Sequence, residues 1–356
     1  TAGSFMYIGP QGIVHGTTIT ILNAARKIDK KAADLKGKIF VTSGLGGMSG
    51  AQPKAAVISK GICIVAEINK KATQKRHEQG WVDLVFDDLD LLIDRAIQAK
   101  QKNEAISLAY NGHIVDLWEK IIERNLKVDI GSDQTSLHNP WAGGYYPQGM
   151  DYSEANKLMV ENPSLFKKKV QETLRNHVKA INILSDKGMY FFDYGNAFLL
   201  ESKRAGADIL NKDGNFKFQS YVQDIMGPMC FDYGFGPFRW VCSSNNEKDL
   251  DITDKIAFDV LSKLNDNSTD EIKLQMQDNI NWIKDAKSNK LVVGSQARIL
   301  YADSNGRIEI ALAFNKAIRE NIISEPIILG RDHHDVSGTD SPYRETSNIY
   351  DGSQFT

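Results

Sequence analysis

The chain has 356 residues, 42% of them hydrophobic and 25% charged, an ordinary globular composition with length enough for two or more buried cores. Its 43 basic and 45 acidic residues leave a net charge of -2, and no basic tract or aromatic ladder is present, so neither nucleic acid nor an anionic membrane is an expected partner. Three scattered cysteines (Cys63, Cys230, Cys242) without a CxxC pair, and no apolar run near the roughly 20 residues of a membrane span, point to a reducing, cytoplasmic setting.

The chain opens on Thr1-Ala2-Gly3-Ser4 without Met and stops at Phe355-Thr356 after a dense polar run, which reads as a fragment. A strand is expected at Lys38 to Thr42, followed by Gly44-Leu45-Gly46-Gly47-Met48-Ser49-Gly50, a helix, and a second strand Ile62 to Val65 that ends in Glu67. That order is the dinucleotide-binding pattern: bare backbone approaches a pyrophosphate, a helix N-terminus offers N–H groups, and a carboxylate about 20 residues on reaches a ribose hydroxyl. A carboxylate there would repel a 2′-phosphate, so NAD is expected over NADP. Ser49 stands where the strict GxGxxG grid has its third glycine.

A charged helix (Lys70 to Gln79) and an amphipathic helix carrying Leu89, Leu92, Ile93, Ala96 and Ile97 come next. They lead to a strand Ala105 to Ala109, a helix with Val115, Trp118, Ile121 and Ile122 on one face, and a short strand Val128 to Ile130. Alternation of strand and helix predicts an α/β fold, a Rossmann-like doubly wound and mainly parallel sheet with part of a second α/β domain. Pro163-Ser164 opens a long helix with the stripe Phe166, Val170, Leu174, Val178 and Ile181, closed by Gly188. The polar insert Asn211 to Asn215 marks the expected boundary, giving domains 1–216 and 217–356. Beyond it lie an aromatic-rich loop (Cys230 to Cys242), a charged helical stretch, a strand Leu291 to Val293, a helix Ile310 to Glu320 and a strand Ile327 to Leu329.

Two loops carry candidate chemistry. In Gly234-Phe235-Gly236-Pro237-Phe238-Arg239-Trp240, an arginine among aromatics is either a planar fork for a carboxylate or a cation stacked on Trp240 or Phe238. In Arg331-Asp332-His333-His334-Asp335, carboxylate and imidazole stand side by side and can move protons near neutral pH. Neighbouring side chains diverge, and no i, i+4 histidine pair or cysteine cluster is present, so no metal site is expected. On the residues alone, an NAD-dependent dehydrogenase is the default.

Six ordered motifs together resemble the urocanase (urocanate hydratase) family. They are Tyr7-Ile8-Gly9-Pro10-Gln11-Gly12-Ile13-Val14-His15-Gly16-Thr17, Thr42 to Gln52, Ser132-Asp133-Gln134-Thr135-Ser136, Phe192-Asp193-Tyr194-Gly195-Asn196, Gly236 to Trp240, and Gly330-Arg331-Asp332-His333. The resemblance implies hydration of urocanate to imidazolonepropionate in histidine degradation, with tightly bound NAD+ as electrophile rather than hydride acceptor, in a homodimer. It further implies a Rossmann-like NAD domain with an N-terminal lead-in, then a partial C-terminal domain with the catalytic loops. Cofactor contacts implied by the motifs fall on Gln11, Gly47, Met48, Ser49, Glu67, His113, Ile114, Gln134, Thr135, Ser136, Leu137, His138, Tyr145, Tyr146 and Tyr194. Ala72 stands where another branch has an arginine.

The family's Leu-Pro-Ala-Arg-Ile-Cys-Trp motif reads Ser295-Gln296-Ala297-Arg298-Ile299-Leu300-Tyr301 here, so Arg298 is kept and the cysteine is replaced by Leu300. Arg239 is expected on the substrate carboxylate, Asp332 with His333 on the proton movements, and Arg298 beside them. Family chains are longer at both ends with further cofactor contacts, so the chain alone is expected to bind NAD weakly and to hydrate nothing.

Overall fold

The computed structural model describes residues 10–47, 49–133, 139–194, 197–244, 246–291 and 296–330. They fall into two compact units, one built from residues 20–225 and the other from residues 10–19 with 226–330. Helix α1 (Gln11–Ile28), in a lead-in where no element is expected from the residue pattern, contributes to both.

The first unit is a seven-stranded parallel sheet. In chain order it carries β1 (Ile39–Ser43), α2 (Ala51–Ile58), β2 (Ile62–Glu67), α3 (Lys70–Glu78), β3 (Leu84–Phe86), α4 (Leu89–Lys102), β4 (Ile106–Asn111), α5 (Ile114–Glu123) and β5 (Ile130–Asp133). Then follow α6 (Tyr152–Glu161), α7 (Pro163–Asp186), β6 (Tyr190–Asp193), α8 (Ala197–Arg204) and β7 (Gln219–Ser220). The strands lie in the order β3-β4-β2-β1-β5-β6-β7. Strands β1 and β2 are almost wholly buried and open on apolar runs because helices cover both faces, the pattern a parallel sheet requires. From β1 the chain winds outward through β2 on one side and later returns to place β5 on the other, so the gap beyond their C-terminal ends is the switch point where such sheets bind ligands.

Local chemistry sets the helix ends. Asp88 accepts a hydrogen bond from Leu91 N at the start of α4, and Asn103 closes that helix in the left-handed region at φ 50°. Asn162 caps α7 with Pro163 in its first turn, and Phe166, Val170, Leu174, His177, Val178 and Ile181 are buried along it. Helix α6 is unannounced in the element reading, although Asp151 and Glu154 form a complete capping box. The strand expected at Val128 to Ile130 lies further on, at β5: Asp129 instead accepts from Ile39 N, and the strand runs into the buried polar pair Ser132 and Asp133.

In the second unit a three-stranded antiparallel sheet, order β10-β8-β9, is built from β8 (Gly236–Cys242), β9 (Ala297–Ala302) and β10 (Ile327–Gly330). Helices α9 (Glu247–Asn265), α10 (Asp270–Asp285) and α11 (Ser304–Arg319) complete it. The aromatic segment read as a loop is thus largely the central strand. Pro237 stands near its start, opposite Tyr301 of β9, and the described residues of β10 pair with Arg239 to Cys242. The strand expected at Leu291 to Val293 lies, apart from Leu291, outside the described residues. No helix among the described residues is long and apolar enough to cross a membrane.

Candidate functional site

At the switch point of the first unit, the tips of β1 and β5 are tied together by short polar groups. Thr42 Oγ1 donates to Gln52 Oε1 at 2.8 Å and lies 2.9 Å from Ser132 Oγ, while Ser43 Oγ donates to the Asp133 carboxylate. These bonds fix the base from which the glycine loop springs. Gly44 has φ +86°, a conformation that opens the turn at no steric cost only for glycine. A Cβ built on Gly47 would meet nothing within 4 Å, so that stretch of backbone is bare on its open side.

The loop is held from behind by Arg76 of α3. Its Nε donates to Leu45 O at 3.1 Å and its Nη2 to Gly46 O at 2.6 Å, while the guanidinium lies 5.0 Å from the Trp81 ring centroid. With two carbonyls drawn to Arg76, the loop carries a cation beneath it, which favours an anion above. A Cβ on Gly50 would come within 2.3 Å of Arg76 Nε, so glycine at that position makes room for the clamp.

Glu67 sits at the tip of β2. Its carboxylate accepts from Leu45 N at 2.7 Å and from Asn69 N at 2.8 Å. Burial raises its pKa above the usual carboxylate value, and the backbone N–H groups of Asn69, Leu45 and Ile68 pull it back.

Across the opening, His113 caps α5. Its Nδ1 accepts from Val115 N at 3.1 Å, so Nε2 carries the proton given to Tyr146 O at 2.8 Å. Both nitrogens are engaged within the protein, and burial lowers the pKa of the ring. His113 therefore anchors the Tyr145-Tyr146 segment, leaving ring and backbone to meet a ligand. Ile114 is the first residue of α5 and is buried.

Together, Ser43, Gly44, Gly46, Ser49, Glu67, Gly112, His113, Ile114, Asp133, Tyr145 and Tyr146 line an opening of about 270 Å³. That is near the lower end of small-ligand clefts. A run of glycine backbone held by a half-buried arginine suits a diphosphate, and a desolvated carboxylate one strand away suits a ribose diol. The residues present fit a dinucleotide.

Of the residues singled out in the sequence, this cleft gathers Ser49, Glu67, His113, Ile114, Tyr145 and Tyr146 on one unit, while Gly47 belongs to the glycine loop but is not among the lining residues. Tyr194 follows β6 with its N–H on Asp133 O and its ring stacked 4.9 Å from Tyr221; it is not among the cleft-lining residues. Met48, Gln134, Thr135, Ser136, Leu137, His138, Asp332 and His333 lie outside the described residues.

The other singled-out residues belong to the second unit. Arg298 on β9 is 2% exposed and gives Nε and Nη2 to the Asp254 carboxylate of α9, and Nη1 to Gln11 Oε1 at 3.3 Å. The Gln11 amide in turn donates to Ala297 O at 3.0 Å. With Trp282 Nε1 on Ile299 O and Asn279 Oδ1 on Tyr301 N, side chains close the outer edge of β9. Gln11 and Arg298 are thus brought together, but as parts of a buried scaffold.

Arg239 is also buried, on β8, paired across the sheet with Ile299 and Gly330. Trp240, the next residue, is opposite Arg298; its indole donates to Thr253 of α9, the helix that also carries Asp254. Side chains alternate between sheet faces, so Arg239 and Arg298 project from opposite faces. Leu300 shares the face of Arg298 and is wholly buried. Among the described residues no cluster of three or more His, Cys, Asp or Glu could hold a metal ion.

Sequence reasoning missed Arg76, Asp254 and the partners of Tyr145. Arg76 sat in a helix read only as charged, and nothing local marks its reach to the glycine loop. His177 was legible in principle: it falls between Leu174 and Ile181 at helical spacing, inside the apolar stripe.

A parallel doubly wound sheet with a glycine loop and an acidic tip at its switch point defines a Rossmann-like α/β protein. The urocanase Rossmann-like domain model matches residues 9–225 and the urocanase C-terminal domain model matches residues 228–356. The chain belongs to the urocanase family. It is 58% identical over 361 residues to a probable urocanate hydratase of Dictyostelium discoideum, covering all of this chain and 53% of that protein. Urocanate hydratases of Mus musculus and Homo sapiens are 57% and 56% identical over 364 residues, again across the whole chain and 54% of each relative. The chain spans about half the length of the curated relatives it matches.

Proposed function

We propose that this chain carries the NAD site and much of the catalytic machinery of a urocanate hydratase, a hydro-lyase adding water to urocanate to give imidazolonepropionate. What supports the reading above all is that similarity to urocanate hydratases runs through the whole chain, both domains included, at more than half identity. NAD+, when bound, supplies an electron-poor ring that makes the substrate's conjugated system open to water. The protein's own groups do the rest: Gly47 and Ser49 with the loop over Arg76 take the diphosphate, Glu67 takes a ribose hydroxyl, and His113 with Ile114, Tyr145 and Tyr146 form the opposite wall.

Met48, Gln134 to His138, Gln11 and Tyr194 complete the proposed cofactor set. Arg239 is proposed as the anchor of the urocanate carboxylate, since a buried guanidinium pairs strongly with a planar carboxylate. Asp332 and His333 are proposed to hold and move protons at the imidazole and at the attacking water. The buried bonds of Arg298 to Asp254 and Gln11 give it a positioning role beneath that chemistry. A cytoplasmic homodimer belongs to the same reading.

The test uses the complete protein that contains this chain, incubated with urocanate while the ultraviolet absorbance of substrate and of NADH are both followed. Loss of urocanate absorbance without NADH formation is expected. Stoichiometric NADH would favour an oxidoreductase, and unchanged urocanate a non-catalytic NAD-binding protein. Arg239→Ala is expected to lose most of its turnover efficiency; intact efficiency would remove Arg239 from the substrate site.

A further inference from the structure

Behind the cleft wall of the first unit runs a buried chain of three aromatic side chains. Trp118 of α5 gives its indole N–H to His177 Nε2 at 3.0 Å, and His177 Nδ1 lies 2.8 Å from Tyr145 Oη. Tyr145 and His177 stack with ring centroids 6.2 Å apart, and the His113 ring meets Tyr145 edge-on at 5.6 Å. Trp118 and His177 are fully buried, whereas Tyr145 lines the opening.

Donor and acceptor roles along this chain follow by elimination. An indole nitrogen can only donate, so His177 Nε2 must present its lone pair. A ring with a lone pair on Nε2 carries its proton on Nδ1, and that proton goes to the Tyr145 oxygen. The phenol oxygen is thereby taken as an acceptor, and its own proton remains to be given to a further acceptor. Burial first, and Asp133 on the cleft wall second, oppose ionisation of the phenol, keeping it a donor.

We propose that Trp118 and His177 are positioning residues that hold Tyr145 as a hydrogen-bond donor to an acceptor oxygen or nitrogen of the nucleotide bound in this cleft. The proposal rests on the dinucleotide reading and deepens it, because it assigns the polarity of one contact and the two side chains that impose it. His113, with the opposite tautomer set by Val115 N, fixes the neighbouring Tyr146 carbonyl and so holds the same wall from its other side.

Two arms test it on the complete protein. Solid-state nitrogen spectra of protein labelled with [15N]histidine should show His177, recognised by its contact with the Trp118 indole, as the Nδ1–H tautomer at pH 7, and His113 as the Nε2–H tautomer. In Trp118→Phe the His177 ring should lose that preference. Titration with NAD should give about tenfold weaker binding for Tyr145→Phe, the loss of one hydrogen bond. His177→Phe should weaken binding similarly, and the double variant no further, since both remove one shared contact.

An Nε2–H or cationic His177 in the wild type overturns the proposal, as does additive loss in the double variant. Wild-type binding of NAD with an unaffected Tyr145→Phe variant overturns the donor role and leaves the dinucleotide reading intact. A wild-type protein that binds no NAD overturns both. The wild-type tautomer needs no variant, so it decides the matter even where a core substitution fails to fold.

Discussion

Replacing Arg298 by Met removes the cation that neutralises Asp254 while filling most of the same volume. Asp254 is 14% exposed at its side chain, and burial already outweighs the pull of Arg298 to hold its pKa above 3.8. Left alone, the buried carboxylate either stays charged, at about 3 to 5 kcal/mol for an uncompensated buried charge, or takes up a proton. Protonation from a reference of 3.8 costs about 1.4 kcal/mol for each pH unit above that value. The escape is therefore capped at about 4 kcal/mol at pH 7 and under about 2 kcal/mol at pH 5.

Urea unfolding of Arg298→Met should accordingly show a loss of about 3 to 4 kcal/mol at pH 7 that shrinks by roughly half or more at pH 5. The double variant Arg298→Met/Asp254→Leu should recover most of it, because two apolar side chains replace a buried pair at little cost. A loss under about 1 kcal/mol at pH 7, or one that does not change with pH, would refute the view that Arg298 exists to hold Asp254. Urocanate turnover retained by the double variant would exclude Arg298 from contact with the reacting atoms.

Arg76→Met should cut NAD affinity about tenfold by freeing the Leu45 and Gly46 carbonyls, and Arg76→Lys should not restore it because a single ammonium cannot span both; calorimetric titration with NAD checks this. Glu67→Gln should weaken NAD and narrow the preference for NAD over NADP, since the charge that repels a 2′-phosphate is gone; competition between the two nucleotides reads it. Burial lowers His15 and His177 to about 3 in the folded state against 6.5 when unfolded, so the unfolded chain binds more protons as pH falls. Stability is thus complete above pH 6.5 and is lost between 6.5 and 3, by up to about 1.4 kcal/mol per pH unit for each ring. Urea unfolding from pH 7 to pH 5 should show this slope, and His177→Phe should reduce it by the share of one ring.

The candidate cleft at the switch point is legible in the sequence because its pattern is local: glycines at fixed offsets, a strand before them, and Glu67 at the reach of one βαβ unit. Apolar runs likewise announced β1, β2 and β4, and the stripe from Phe166 to Ile181 announced α7. Where polar residues are buried for a purpose, that pattern fails. Strand β5 was displaced because Ser132 and Asp133 are strand residues whose side chains serve the cleft.

Strand β8 has the local pattern of a loop because Gly234, Gly236 and Pro237 look like turn residues, and its pairing with β9 and β10 makes it a strand. Contacts between residues hundreds of positions apart, such as Gln11 with Ala297 and Arg298, have no local signature at all. The hydrogen bond of His177 to Tyr145 is of the same kind, although its place in an apolar stripe flags a buried imidazole in need of partners.

The central claim is that the cleft at the β1–β5 switch point holds NAD and that the nucleotide emerges unchanged from turnover. Its most direct test is to assay urocanate hydration by the complete protein and then to extract and identify the bound nucleotide. Recovery of oxidised NAD in proportion to active protein, with no NADH at any stage, is the predicted result. Full-rate loss of urocanate by protein that carries no nucleotide would contradict it.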